Sequence, residues 1–127
     1  MFDIKSVLSL HDRVLAQYGG ASGIRDNNLL DSALNRPFQT FGGEDLYPTV
    51  YEKAAAVIQS VIINHPFIDG NKRTGFLLGE SLLLNDNAEI GAAENDCYGF
   101  VIKVSTGELT SEDIVLWLQQ NTQPISL

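Results

Sequence analysis

The chain is poor in the residues that staple, span or coat. It has one cysteine, Cys97, so neither an internal disulfide nor a multi-cysteine zinc site is open to it. Its apolar runs are too short and too interrupted to cross a bilayer as a helix. It opens Met1-Phe2-Asp3, with an acid where a secretory leader carries basic residues, so no signal peptide is expected and the cytoplasm is the expected compartment. Basic residues are scarce as well. Eight Lys and Arg face sixteen Asp and Glu, and the formal net charge of −8 disfavours broad electrostatic binding to nucleic acid. Any positive potential must be local, and Lys72-Arg73 is its best candidate.

The 127 residues are one-domain size, and a chain of this length buries roughly two thirds of its unfolded surface without staples, so a single domain over 1–127 is expected. The apolar spacing predicts an all-α fold with short connections and no linker or repeat. Ile4, Val7, Leu8, Val14, Leu15 and Tyr18 form one stripe of a first helix ending at Gly19-Gly20. His11 falls on that stripe and is read as a hydrogen-bonded core residue, not as part of a His11/His65/Asp69 metal site. Asp26 can cap a helix whose Leu29, Leu30, Ala33 and Leu34 face inward before Pro37 stops it. Thr49-Val50-Tyr51-Glu52 has the capping-box spacing, and Ala54, Val57, Ile58, Val61 and Ile62 carry the next helix to about Asn64. A helix from near Asn71 has Phe76, Leu77, Leu78, Leu82, Leu83 and Leu84 almost all round, so it is expected to be central and buried, with Gly75 and Gly79 admitting a close neighbour. Two more helices are expected, Glu94 to Thr106 and Ser111 to Asn121, the second capped by Thr110 or Ser111 and anchored by Trp117.

Chemistry concentrates in the run His65-Pro66-Phe67-Ile68-Asp69-Gly70-Asn71-Lys72-Arg73-Thr74-Gly75. Pro66 lacks an N–H and disfavours a helical His65, so the chain breaks there and turns through Asp69-Gly70 into the helix at Asn71. The first N–H groups of that helix have no partners and sit at the positive end of its dipole, where Gly70 lets an anion approach. Lys72 and Arg73 in the first turn oppose the dipole unless a bound anion compensates. Asp69 is a natural ligand for a magnesium ion that bridges phosphates. His65 carries an imidazole that can accept a proton from an attacking hydroxyl. Phe67 reads as a core anchor for the loop. A Walker-type phosphate loop is excluded, because its glycine spacing and Gly-Lys pair are absent.

The run resembles the Fic/Doc superfamily signature His-x-Phe-x-[Asp/Glu/Asn]-[Gly/Ala]-Asn-[Gly/Lys]-Arg, and within it the Doc, or death-on-curing, toxin branch. Gly19-Gly20, Gly23-Ile24-Arg25-Asp26, the Leu29-Leu30 to Ala33-Leu34 segment, Asp45-Leu46-Tyr47-Pro48, Ala54-Ala55 and Trp117 extend the similarity. The resemblance implies a compact helical Fic/Doc fold with the active-site loop before a buried central helix. It implies His65 as general base toward a protein hydroxyl, Asp69 as magnesium ligand, and Gly70, Asn71, Lys72 and Arg73 as the holders of the phosphates of ATP. Adenylylating Fic enzymes usually read Gly-Asn-Gly-Arg with a second arginine three residues on. Lys72 and Phe76 occupy those positions here, as in Doc-like toxins, whose nucleotide is thought to bind reversed and present its γ-phosphate.

The resemblance therefore implies phosphorylation of a translation elongation factor such as EF-Tu, with AMP transfer as one alternative and a non-catalytic binding module as another. It also implies that the segment Phe38 to Pro48 can align a target by strand addition. Thr40 and Glu44 have the spacing of the inhibitory helix that some Fic proteins carry, but Gly42-Gly43 argue against a helix there. Control by a separate Phd-like antitoxin is the corresponding expectation. Arg25 is expected in an ion pair with a neighbouring acid, outside the catalytic set.

Overall fold

A computed structural model describes residues 1–125. Six α-helices carry the fold: α1 (Ile4–Tyr18), α2 (Asn27–Asn35), α3 (Val50–Asn64), α4 (Asn71–Asn85), α5 (Glu94–Ser105) and α6 (Ser111–Gln120). Their starts follow the capping residues. Asp3, Asp26, Thr49 and Thr110 each accept a hydrogen bond from a first-turn N–H, and Thr110 with Asp113 forms a full capping box. After α2 a single 3₁₀ turn, Arg36–Phe38, carries the chain past Pro37.

The helix buried on every side is α3. Ala54 through Ile58 and Ser60 through Ile62 are all buried, and α3 packs against α2, α4, α5, α6 and the 3₁₀ turn. One face completes a cluster with Leu83, Phe100, Val104, Ile114 and Leu118, and the other a cluster with Val7, Leu30, Ala33, Phe67 and Leu78. An apolar circumference is stable only in such a position.

The all-round burial expected of α4 belongs instead to its partner. In α4 one face is buried, through Asn71, Thr74, Gly75, Leu78, Gly79 and Leu83, while Leu84 is exposed. Gly75 and Gly79 set how closely α4 lies on α3. A Cβ at Gly79 would meet Ile58 side-chain carbons at 2.5 Å, and one at Gly75 would meet Ile62 at 3.0 Å.

Two small antiparallel ribbons complete the described residues. β1 (Thr40–Phe41) and β2 (Glu44–Asp45) pair across Gly42-Gly43, both at positive φ as a tight I′ hairpin requires. Thr40 and Glu44 are therefore in a hairpin, and the helix their spacing could suggest does not form. β3 (Ala88–Ile90) pairs with β4 (Thr122–Pro124), a contact between segments far apart in sequence.

Candidate active site

The loop between α3 and α4 is held from three directions. From below, α1 presents His11, whose ring stacks on Phe67 with centroids 3.8 Å apart and whose Nε2 lies 2.7 Å from the Asp69 carbonyl. His11 is buried and hydrogen-bonded, and Phe67 is completely buried. Among the described residues no group of three or more His, Cys, Asp or Glu converges as a metal cage.

From the side, residues 20–26 run along the loop. Ala21 N donates to Asp69 Oδ2 at 2.6 Å, Ile68 N to Gly23 O at 3.1 Å, and Arg25 N and Asp26 N to Pro66 O at 2.7 and 3.1 Å. Ile24 and Phe67 form an isolated antiparallel bridge. This approach needs glycine. Gly20 and Gly23 sit at φ +118° and +119°, and a Cβ on them would press Asp69 at 3.0 Å and Ile68 at 2.9 Å.

From within, Asn71 closes the loop on itself. Its Oδ1 accepts from Phe67 N at 3.0 Å and its Nδ2 donates to Phe67 O at 2.9 Å. The side chain is buried and committed to the loop, so a ligand meets only the backbone N–H of Asn71.

What this clamping leaves free is the chemically useful set. Gly70 is left-handed (φ 80°, ψ 14°) and gives α4 no side-chain cap. Thr74 N returns to Gly70 O, whereas the N–H groups of Asn71, Lys72 and Arg73 have no protein acceptor among the described residues. The first turns of α3, α5 and α6 carry acids; that of α4 carries none and has two exposed cations. Such a turn fits an anion. Asp69 Oδ1 is likewise without a protein donor, and the carboxylate is exposed. His65, Asp69, Gly70, Asn71, Lys72 and Arg73 line one cavity of about 270 Å³, closed on the α1 side by Val14, Tyr18 and Gly19. The structure thus brings the six residues singled out from the sequence to one place. The His65 ring makes no hydrogen bond to the protein among the described residues, and the residue is exposed at the cavity.

Two features escaped the sequence reading. Among the described residues Arg25 pairs with no acid: its Nε and Nη2 donate to the His65 and Asn64 carbonyls at 2.6 and 2.7 Å. Its position between two turn-forming segments carries no signal of that contact. The second feature is a larger apolar cavity of about 410 Å³ that shares Tyr18, Lys72 and Arg73 with the first and is walled by Phe76, Tyr98 and Val101. The Arg73 guanidinium lies 3.4 Å from the Tyr18 ring centroid, at the boundary between the two cavities. Cys97 also lines the apolar cavity, and burial together with the nearby Glu80 and Asp96 carboxylates pushes its thiol up.

A loop held by a buried anchor thus delivers a histidine, a carboxylate and an open helix N-terminus to one cavity, and the chain belongs to the Fic/DOC family, whose model matches residues 1–83. Among curated proteins it is similar to Toxin Doc of Mycolicibacterium smegmatis, with 41% identity over 75 residues, 59% of this chain and 58% of that protein. The matched part is thus less than two thirds of the relative's length. The family match takes in α1, the 20–26 segment and the whole loop, and ends before α5.

Proposed function

We propose that the protein is the toxin of a toxin-antitoxin pair and transfers the γ-phosphate of ATP to a hydroxyl of a target protein of the translation elongation factor class, with EF-Tu the first candidate. The kinship with Toxin Doc supports the toxin assignment. The observation that carries the choice of phosphate is the order of the two cavities. The apolar one, lined by Tyr18, Phe76 and Tyr98, adjoins Lys72 and Arg73 but includes neither His65 nor Asp69. A nucleoside seated there would lay its phosphates across the N-terminus of α4, with the terminal one toward His65. Phe76, where adenylylating relatives carry a second arginine, is part of that apolar wall and packs edge-on against Phe100.

In this reading His65 accepts the proton of the target hydroxyl as its oxygen bonds to the γ-phosphorus and the bond to the β-phosphate oxygen breaks, releasing ADP. The N–H groups of Asn71, Lys72 and Arg73, with the Lys72 and Arg73 charges, hold the phosphates. Asp69 Oδ1 suits magnesium, a hard cation that takes one or two carboxylates and fills its remaining positions with water and phosphate oxygen. When bound, it would supply neutralisation of phosphate charge. The β1–β2 ribbon has free edges and an exposed Phe41, which fits docking of an extended target segment. With Thr40 and Glu44 in that ribbon, inhibition is assigned to a separate Phd-like antitoxin in the cytoplasm.

The test is the mass added to purified EF-Tu by the protein and by His65→Ala in the presence of ATP and magnesium, repeated with α- and γ-labelled nucleotide. A phosphate-sized increment carrying γ label and absent with His65→Ala is the expected result. An AMP-sized increment carrying α label replaces the proposal with adenylylation, and toxicity undiminished in His65→Ala replaces it with a binding role.

A further inference from the structure

Arg25 is the charged residue beside the site that the proposed reaction leaves without a role. We infer that it is a positioning residue: its guanidinium closes the C-terminal end of α3 and so holds His65 in the left-handed conformation that presents the imidazole to the cavity. The kinetic part of this inference rests on the phosphotransfer reading, and the conformational part does not.

The last carbonyls of a helix have no partners within it. In the usual ending a left-handed residue is followed by one whose N–H bonds back to the final turn. Here the left-handed residue is His65 (φ 51°, ψ 60°), and the residue after it is Pro66, which has no N–H to give. His65 N still reaches Val61 O at 3.2 Å, but the Asn64 and His65 carbonyls lack donors from their own segment. Arg25 supplies both, Nη2 to Asn64 O at 2.7 Å and Nε to His65 O at 2.6 Å. The guanidinium presents its donors in one rigid plane, so it spans the pair at once and sets a full positive charge at the negative end of α3.

That pair of bonds selects a backbone conformation. Non-glycine residues seldom enter the left-handed region, and Pro66 disfavours the right-handed helical one for His65, so its ordinary alternative is extended. In an extended residue successive carbonyls point to opposite sides, and one guanidinium could not reach both. Arg25 therefore favours the conformer seen here over the one intrinsic preference would give.

Arg25 does not line the active-site cavity, so its influence on chemistry passes through His65. Its placement is independent of its side chain. Arg25 N and Asp26 N hold Pro66 O, Ile68 N holds Gly23 O, and Asp26 caps α2 through Leu29 N. These contacts survive replacement of the side chain and keep the loop docked.

The experiment compares the full chain with Arg25→Gln and Arg25→Lys. His65 conformation is read from its Cα and Cβ chemical shifts and its amide coupling, and γ-phosphate transfer is resolved into kcat and KM for ATP. In Arg25→Gln the His65 signals are expected to move from left-handed to extended values, with kcat falling about 10²-fold and KM for ATP changing by less than about threefold. Arg25→Lys, with charge but no fork, should fall between. Unchanged His65 signals in Arg25→Gln overturn the inference. So does a rise in KM at constant kcat, which would make Arg25 a phosphate contact. Should Arg25→Gln fail to fold, the same His65 signals in Arg25→Lys decide, unchanged values with lost rate being fatal. If the wild-type protein transfers no phosphate, the reaction reading falls while the His65 signals still decide the positioning.

Discussion

Replacing Asn71 separates two roles that the residue could play, phosphate ligand or lock of the loop. In Asn71→Ala the Phe67 N–H and C=O lose partners at 3.0 and 2.9 Å. Both belong to a residue with no exposed surface, at a place walled by His11 and α3. A net hydrogen bond contributes about 0.5–1.5 kcal/mol, and a buried backbone group left unpaired costs about 1–3 kcal/mol. Two such groups set a range of about 2–6 kcal/mol, the lower end applying if water enters beside exposed Ile68 and Asp69. Taking about 3 kcal/mol and a urea slope of about 2 kcal/mol per molar, the unfolding midpoint should fall by about 1.5 M. Such a loss is survivable for a domain of ordinary stability.

The assay is urea unfolding followed by circular dichroism, paired with equilibrium binding of ATP below the transition. Asn71→Asp sharpens it. The carboxylate still accepts from Phe67 N but sets a second oxygen against Phe67 O, so its cost should be at least as large at neutral pH. That cost should shrink as the pH falls and the new carboxyl protonates to become a donor. An Asn71→Ala protein with an unchanged midpoint and ATP affinity reduced tenfold or more would refute the reasoning, because the side chain would then be serving the ligand.

Gly79→Ala places a methyl 2.5 Å from fully buried Ile58, and the overpacking, about 1–3 kcal/mol, should outweigh a helix-propensity gain of about 1 kcal/mol and lower the melting temperature. Gly99→Ala, with nothing within 4 Å in the middle of α5, should raise it by the propensity term alone, so calorimetry on the pair gives opposite signs. Tyr98→Ala removes an exposed ring from the apolar cavity wall, so KM for ATP in the transfer assay should rise about threefold to tenfold with no change in unfolding midpoint. Burial holds the Glu80 carboxyl above its ordinary 4.5, so the folded state binds its proton more tightly and this residue's contribution to stability declines as the pH rises from 4.5 through the folded value. Glu80→Gln should therefore gain over wild type at neutral pH and lose that gain below about pH 4.5, read as the difference in melting temperature at the two pH values.

Much of the site was legible because its signals are local. Asp26, Thr49 and Thr110 mark helix starts through contacts three residues away, and Pro66 with Gly70 marks the break that carries His65 and Asp69. His11 could be read as a core histidine because it shares the stripe of Val7 and Val14. The contacts that escaped join segments distant in sequence. Nothing around Arg25 announces carbonyls forty residues on, and the signature does not show that Asn71 turns inward to Phe67. The leucines of α4 suggested burial all round, but two glycines assign one face to α3 and leave Leu84 in solvent. β3 and β4 pair through segments of only three residues each, too short to carry the alternation over about four to eight residues from which strands are read.

The division between committed and free groups explains why the run reads as one signature although its residues do different work. Phe67 and the Asn71 side chain, with His11, Gly20 and Gly23 from outside the run, have their packing or hydrogen bonds used up in fixing the loop. The His65 ring, Asp69 Oδ1, three helix N–H groups and the Lys72 and Arg73 charges remain open on one cavity. Neither set suffices alone, since open groups on a mobile loop would lose the geometry that positioning supplies. The committed set and the open set both lie within residues 1–83, the span of the family match, whereas Tyr98 and Val101 of the adjoining apolar wall lie beyond it. In the proposed reaction the groups that would meet an anion therefore all come from the span of the family match, whereas the apolar cavity is walled from both sides of its limit, by Tyr18, Phe76 and Leu77 within it and by Tyr98 and Val101 of α5 beyond it.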